Sequence, residues 1–139
     1  MKYVMTLLAI VVAATTLSGQ SAPASPLAGA RKVEGAQPGL YIFTRGHYSF
    51  ARIQGAALPD YPSNDKATDA DKVAVFNTLY LNTGTYTVTG NTLATRAMVA
   101  KSKFAIGGAG NQYEFAIAGN SLTLTQKPSG AVLKLTRLE

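Results

Sequence analysis

The chain of 139 residues contains no cysteine and no tryptophan, and its single histidine is His47. Without cysteine there is no disulfide staple, no thiol nucleophile and no thiolate-ligated metal, so the fold rests on its core alone. One histidine, with no carboxylate near it in sequence, offers neither a metal pair nor a catalytic dyad. Lys and Arg number 13 against 7 Asp and Glu, a formal net charge of +6. The cations are scattered, which argues against a nucleic-acid partner. The signature motifs of chemistry are missing as well: no G-x-S-x-G elbow, no H-E-x-x-H, no phosphate-binding loop and no dinucleotide fingerprint. The glycine-rich stretch Gly107–Asn111 is not set between a strand and a helix of a nucleotide-binding unit, and reads as a loop. Asp60, Asp65, Asp69 and Asp71 lack the spacing, central glycine and terminal glutamate of an EF-hand loop, and helix capping accounts for most of them. No cofactor and no metal is expected.

The chain also lacks an apolar run of the roughly 18–20 residues that a transmembrane helix needs. What stands at the start is shorter: Lys2, an apolar run over residues 7–17, then small residues ending in Ala-Pro-Ala. This layout is that of a secretory signal peptide. The expected cut lies between Ala24 and Ser25, with Gly19–Gln20 as the alternative. Residues 1–24 are therefore read as a signal peptide and residues 25–139 as the mature domain, periplasmic or secreted. Leu17–Gln20 (LSGQ) has the shape of a lipoprotein signal without its essential cysteine, so no lipid attachment and no membrane span are expected after processing.

From Gly39 onward the chain alternates apolar and polar residues, with turn signals at short intervals. Tyr86–Thr95 (YTVTGNTLAT) and Phe115–Leu124 (FAIAGNSLTL) are one unit repeated: strand, Gly-Asn, strand. Glycine first in a two-residue loop suits a hairpin turn with positive φ. Counting outward sets Val88 opposite Leu93, Tyr86 opposite Thr95, Ile117 opposite Leu122 and Phe115 opposite Leu124. Tyr86, Val88, Leu93, Ala97 and Val99 then share one face, as do Tyr113, Phe115, Ile117, Leu122 and Leu124. Threonines, Arg96 and Glu114 take the other, the pattern of an antiparallel sheet with one wet side. Lys127–Gly130 (KPSG) reads as a further reversal, before an alternating last strand. Only Ser63–Leu79 breaks the pattern: Asp65 or Thr68 caps a short helix, Asp69 and Asp71 fall in its first turn, and Val73, Phe76 and Leu79 or Tyr80 recur at helical spacing. The expected fold is all-β: a small antiparallel up-and-down barrel of about eight strands with one short helix packed on it.

Residues 38–53 (PGLYIFTRGHYSFARI) hold four aromatics and the lone histidine within ten positions. With Arg45-Gly46 as the turn, Phe43 pairs with Tyr48 and Tyr41 with Phe50, so all four rings share a face. Leu40, Ile42, Ala51 and Ile53 make the other face apolar too. That second face demands a cover: the helix, the N-terminal segment or a partner chain, with the first two expected. In an eight-stranded barrel the interior either fills with side chains or holds one small ligand. Tyr41, Phe43, Tyr48 and Phe50, with Tyr86, Val88, Tyr113 and Phe115, are expected to point inward and to line any pocket. His47, beside a turn at the rim, and Arg96 are the candidate polar ligand contacts. Arg96 would reach a ligand carboxylate only if its strand slips by one residue.

The motifs QPGLYIFTRGHYSFARI, NTGTYTVTGNTLATR, YEFAIAGNSLTLTQ and the closing LKLTRLE, in that order and spacing, resemble bacterial exported lipocalin-like domain proteins over about Pro26 to Glu139. The resemblance implies a small antiparallel barrel and an exported location, and no defined activity. Such domains typically open with a Gly-x-Trp strand and a loop. Here Ala30–Glu34 is the remnant of that strand, which leaves closure at the N-terminal seam open. The expected function is binding of a small apolar or amphipathic molecule in the barrel. The alternatives are a non-hydrolytic enzyme of isomerase or cyclase type, for which only Arg96, Glu114 and His47 offer an acid or base, and an interaction protein with a filled core.

Overall fold

The structure, a computed structural model, describes residues 24–55 and 57–139; the signal-peptide reading of residues 1–24 lies almost wholly outside them. Eight strands follow one another around a closed barrel in chain order: β1 (Gly29–Val33), β2 (Gly39–Phe43), β3 (His47–Ile53), β4 (Leu79–Thr89), β5 (Thr92–Ala100), β6 (Asn111–Ala118), β7 (Ser121–Lys127) and β8 (Val132–Arg137). Every pairing is antiparallel. Among the described residues two helices, one more than expected, interrupt the sequence of strands, α1 (Asp69–Thr78) and α2 (Lys103–Gly107). No helix among the described residues is long and apolar enough to cross a membrane.

The hairpin registers are those counted from the turns. Phe43 faces Tyr48 and Tyr41 faces Phe50; Val88 faces Leu93, and Ile117 faces Leu122. Gly90 and Gly119 sit at φ 59° and 57°, the left-handed region that a side chain enters only at a cost. The first strand closes the barrel despite its missing tryptophan. Arg31, Lys32 and Val33 pair with Arg137, Thr136 and Leu135 of β8, and the Glu34 amide adds a bond of 2.9 Å to the Lys134 carbonyl. A short seam is enough, because Arg31 and Lys32 are paired on their other side with Tyr41 and Leu40 of β2.

Side chains alternate inward and outward along each strand, and the inward set fills the lower barrel. Tyr41, Phe43, Tyr48, Phe50, Tyr86, Leu93, Leu122, Leu124 and Leu135 form one buried cluster. Its centre is a stack of rings: Tyr41 lies 4.4 Å from both Phe43 and Phe50, nearly parallel to each, and Phe43 meets Tyr86 edge-on at 5.3 Å. Leu27, turned under the barrel by the Ala28 amide bonding to the Ser25 carbonyl at 3.0 Å, completes the cluster from below.

Three expectations are corrected. Val99 does not share the inward face of Ala97. Gly84 pairs with Ala97 and Thr83 with Val99, so Met98 is an extra residue in β5, and the bulge turns Val99 outward, where it is 55% exposed. The apolar outer face of the first hairpin is not covered by the helix: Leu40 and Ile42 remain 39% and 38% exposed. The helix itself does not pack as its spacing suggested. It lies beside β4, buries none of its residues and leaves Val73 and Phe76 exposed. It is held at its ends instead. Thr68 caps it by accepting from the Asp71 amide, and Asp71 accepts from the Thr68 amide at 2.8 Å, a reciprocal box. Lys101, just after β5, donates to the carbonyl of Phe76 in the last turn and to that of Leu79, the residue that caps the helix.

Candidate functional site

The two ends of the barrel are unlike. The turns at 44–46, 90–91 and 119–120 close one end over Leu27, and both termini of the barrel domain lie there. The longer connections gather at the other: residues 34–38, the stretch 54–68 with α1, and α2 with the residues after it. At this second end the inward side chains change from rings and leucines to polar groups.

A polar belt forms there because the last inward positions of several strands carry polar residues. The Tyr48 hydroxyl donates to Asn82 Oδ1, and Asn82 Nδ2 donates to the Tyr80 hydroxyl at 3.4 Å. Thr95 Oγ1 donates to the Asn111 carbonyl at 3.4 Å, and Gln126 Nε2 to Asn111 Oδ1 at 3.2 Å. Asn82 and Thr95 are buried, and these partners satisfy them. Above the belt lies a pocket of about 330 Å³ bounded by Tyr80, Asn82, Thr95 and Ala97 on the barrel side and by Phe104, Ala105 and Gly108–Asn111 on the α2 side. A smaller one of about 100 Å³, sharing Tyr80, lies between Phe50, Arg52, Tyr113, Gln126 and residues 131–133. Phe104, 88% exposed on α2, overhangs the larger pocket without filling it. The side chains offer amide, hydroxyl and guanidinium groups over an apolar floor, the mixture that orients a small amphipathic molecule.

Burial raises the pKa of the Tyr48 hydroxyl, and raises those of Tyr41 and Tyr113 strongly. All three phenols therefore stay protonated through the neutral range, and that of Tyr48 donates to Asn82.

Of the eight residues expected to line an interior pocket, Tyr41, Phe43, Tyr48, Phe50 and Tyr86 belong to the packed cluster, and Val88, Tyr113 and Phe115 pack against it. Phe50 and Tyr113 also reach a mouth pocket. Tyr86 serves the closed end, where its hydroxyl donates to the Thr44 carbonyl at 2.6 Å. His47 and Arg96 are on the outer surface, both exposed, on either side of Thr85 in one cross-strand row. The strand does not slip, so Arg96 stays outside. Glu114, also outward, lies 3.0 Å from Lys127. None of these three borders a mouth pocket. Among the described residues no group of three or more acidic or histidine side chains is placed to hold a metal.

Two arginines outside the expected site residues face inward, Arg31 buried and Arg52 half-buried at the rim. Arg31 is 1% exposed; its Nε donates to the Leu27 carbonyl at 3.4 Å, and Nη1 has no partner among the described residues. Desolvation, and after it the like charge of Arg137, lower its pKa. Arg52 is the outermost inward residue of β3. The signal for it was available: position 52 has the parity of Tyr48 and Phe50, so the same counting that buries those rings sends Arg52 to the same side. Arg31 had no such anchor, because β1 has no hairpin turn of its own kind from which to count.

The closed eight-stranded up-and-down barrel is compatible with a lipocalin-like fold. No protein-family model, no curated protein and no solved structure matches the chain.

Proposed function

We propose that this chain is an exported lipocalin-like protein that binds a small amphipathic molecule at the open mouth of its barrel. The observation that carries the reading is the pocket of about 330 Å³ over the Tyr80–Asn82–Thr95 belt. The barrel below it is filled by the ring stack, so the ligand rests on the core and does not descend into it. A compact aromatic or medium-chain molecule fits the space. The test is a titration of 15N-labelled residues 25–139 with 4-phenylbutyrate and its neutral amide, 4-phenylbutyramide. The amides of Thr95, Ala97, Gly110 and Asn111 should shift with saturation, while Leu122, Leu124 and Leu135 stay in place. Absence of any shift at the mouth with either probe overturns the reading.

A second reading, an interaction protein with a filled core, draws on the exposed Leu40 and Ile42 beside Ala51, Ile53 and Leu81 on the outer face of β2–β4. Shifts confined to that face on raising the protein concentration would favour it.

Export rests on the layout of residues 1–24: the charged start, the short apolar run and the Ala-Pro-Ala site. Mass spectrometry of the protein recovered outside the cytoplasm is expected to give a chain starting at Ser25; an intact Met1 in that pool contradicts export by cleavage.

A further inference from the structure

We propose that the ligand of the mouth is a small monocarboxylate with an apolar body, and that the Arg52 guanidinium holds its carboxylate. The inference rests on the mouth being a ligand site and specifies its chemistry. Arg52 stands at the last inward position of β3, opposite Tyr80 of β4 and Gly39 of β2. Its guanidinium carbon lies over two rings, 5.7 Å from the centre of Phe50 and 5.8 Å from that of Tyr80. The rings fix the plane of the fork without using its hydrogens. Nη2 donates to Gln54 Oε1 at 3.2 Å, and Nε is buried with no partner among the described residues.

No carboxylate neutralises this cation. Among the described residues Arg52 makes no ion pair, and neither mouth pocket has an aspartate or glutamate in its wall. Glu34 borders a neighbouring cleft with Arg52, but its Oε1 accepts from Thr136 Oγ1 at 2.8 Å and it forms no salt bridge with the arginine. A planar fork with a free donor, set on aromatic faces and lacking an acid, matches a planar carboxylate through two parallel N–H···O bonds. Tyr113 stands in the same pocket as a phenol whose proton is retained because burial disfavours its anion, so it adds a donor for the same oxygens. Among the pockets that Arg52 borders, the one it shares with Phe50 and Tyr113 is small, about 100 Å³, and has Tyr80 as a wall in common with the larger mouth pocket. The carboxylate fits the first, and the apolar body lies in the second against Ala97 and Phe104.

Calorimetric titration of residues 25–139 with three probes of one shape tests this: 4-phenylbutyrate, 4-phenylbutyramide and 4-phenylbutylamine. The acid should bind about tenfold or more tighter than the amide, equivalent to about 1.4 kcal/mol, and the amine should bind weakest. In Arg52→Met the preference for the acid should vanish while the amide affinity holds; Arg52→Lys should retain part of it, since a point charge replaces the fork. Circular dichroism melts confirm that each variant folds, and if Arg52→Met does not, the wild-type comparison and Arg52→Lys decide. Equal affinity of the wild type for acid and amide, or a preference that survives in Arg52→Met, overturns the carboxylate assignment and leaves the mouth site standing. Failure of all three probes to bind removes the mouth site, and the assignment with it.

Discussion

Phe50→Ala is expected to lower the unfolding free energy by about 3–5 kcal/mol, the range for deleting a buried aromatic ring. Phe50 is stacked 4.4 Å from Tyr41 and tilted against Tyr80 at 5.4 Å, with the Arg52 guanidinium over its outer face. Its removal takes away one end of the three-ring stack, and the void cannot collapse because Tyr41 is pinned on its other side by Phe43. Urea unfolding should show a lower midpoint at an unchanged slope. The same change should widen the smaller mouth pocket, since Phe50 forms part of its wall. A variant as stable as the parent would mean that the ring stack is not the core of this barrel.

Gly84→Ala should cost about 3 kcal/mol or more, toward the upper end of overpacking effects. A methyl carbon on Gly84 would stand 2.0 Å from the Arg96 carbonyl oxygen and 2.8 Å from the Met98 amide nitrogen, both backbone atoms of the neighbouring strand. Neither can move without breaking the ladder on the other side of the bulge. Gly46 is the matched control. It sits in the first hairpin turn with nothing within 4 Å of an added methyl carbon and without a positive φ, so Gly46→Ala should stay within about 0.5 kcal/mol of the parent. Thermal melts of the two variants side by side separate the effects. If Gly84→Ala melts with the parent, the close approach of β4 to β5 at the bulge is wrong.

The sequence by itself determined the hairpins, and through them most of the barrel. A two-residue Gly-Asn loop leaves one register between its flanking strands, and alternation then assigns every side chain to a face by parity. The aromatic ladder, the inward leucines of β7 and the Thr68 cap were all legible because each depends on residues within a few positions of one another. Parity also carried the position of Arg52, although its meaning lay in the rings of Phe50 and Tyr80, which only the β3–β4 pairing brings around it.

What the tertiary structure decided is whatever depends on contacts between distant segments. The seam of β1 with β8 joins residues about a hundred positions apart, and no local pattern encodes it. One extra residue at Met98 reverses the parity of everything after it in β5, so Val99 went outward against its alternation. The spacing of Val73 and Phe76 marked a helix, but spacing does not say what lies opposite, and α1 is tied by its cap and by Lys101 with Val73 and Phe76 left in solvent. The apolar outer face of β2 was visible in the sequence, and its lack of a cover was not. The mouth pocket belongs to the same class. It exists because α2 and the residues after it stand off from the inward ends of β4 and β5, a spacing fixed by how three separate segments pack and not by the identity of any one of them.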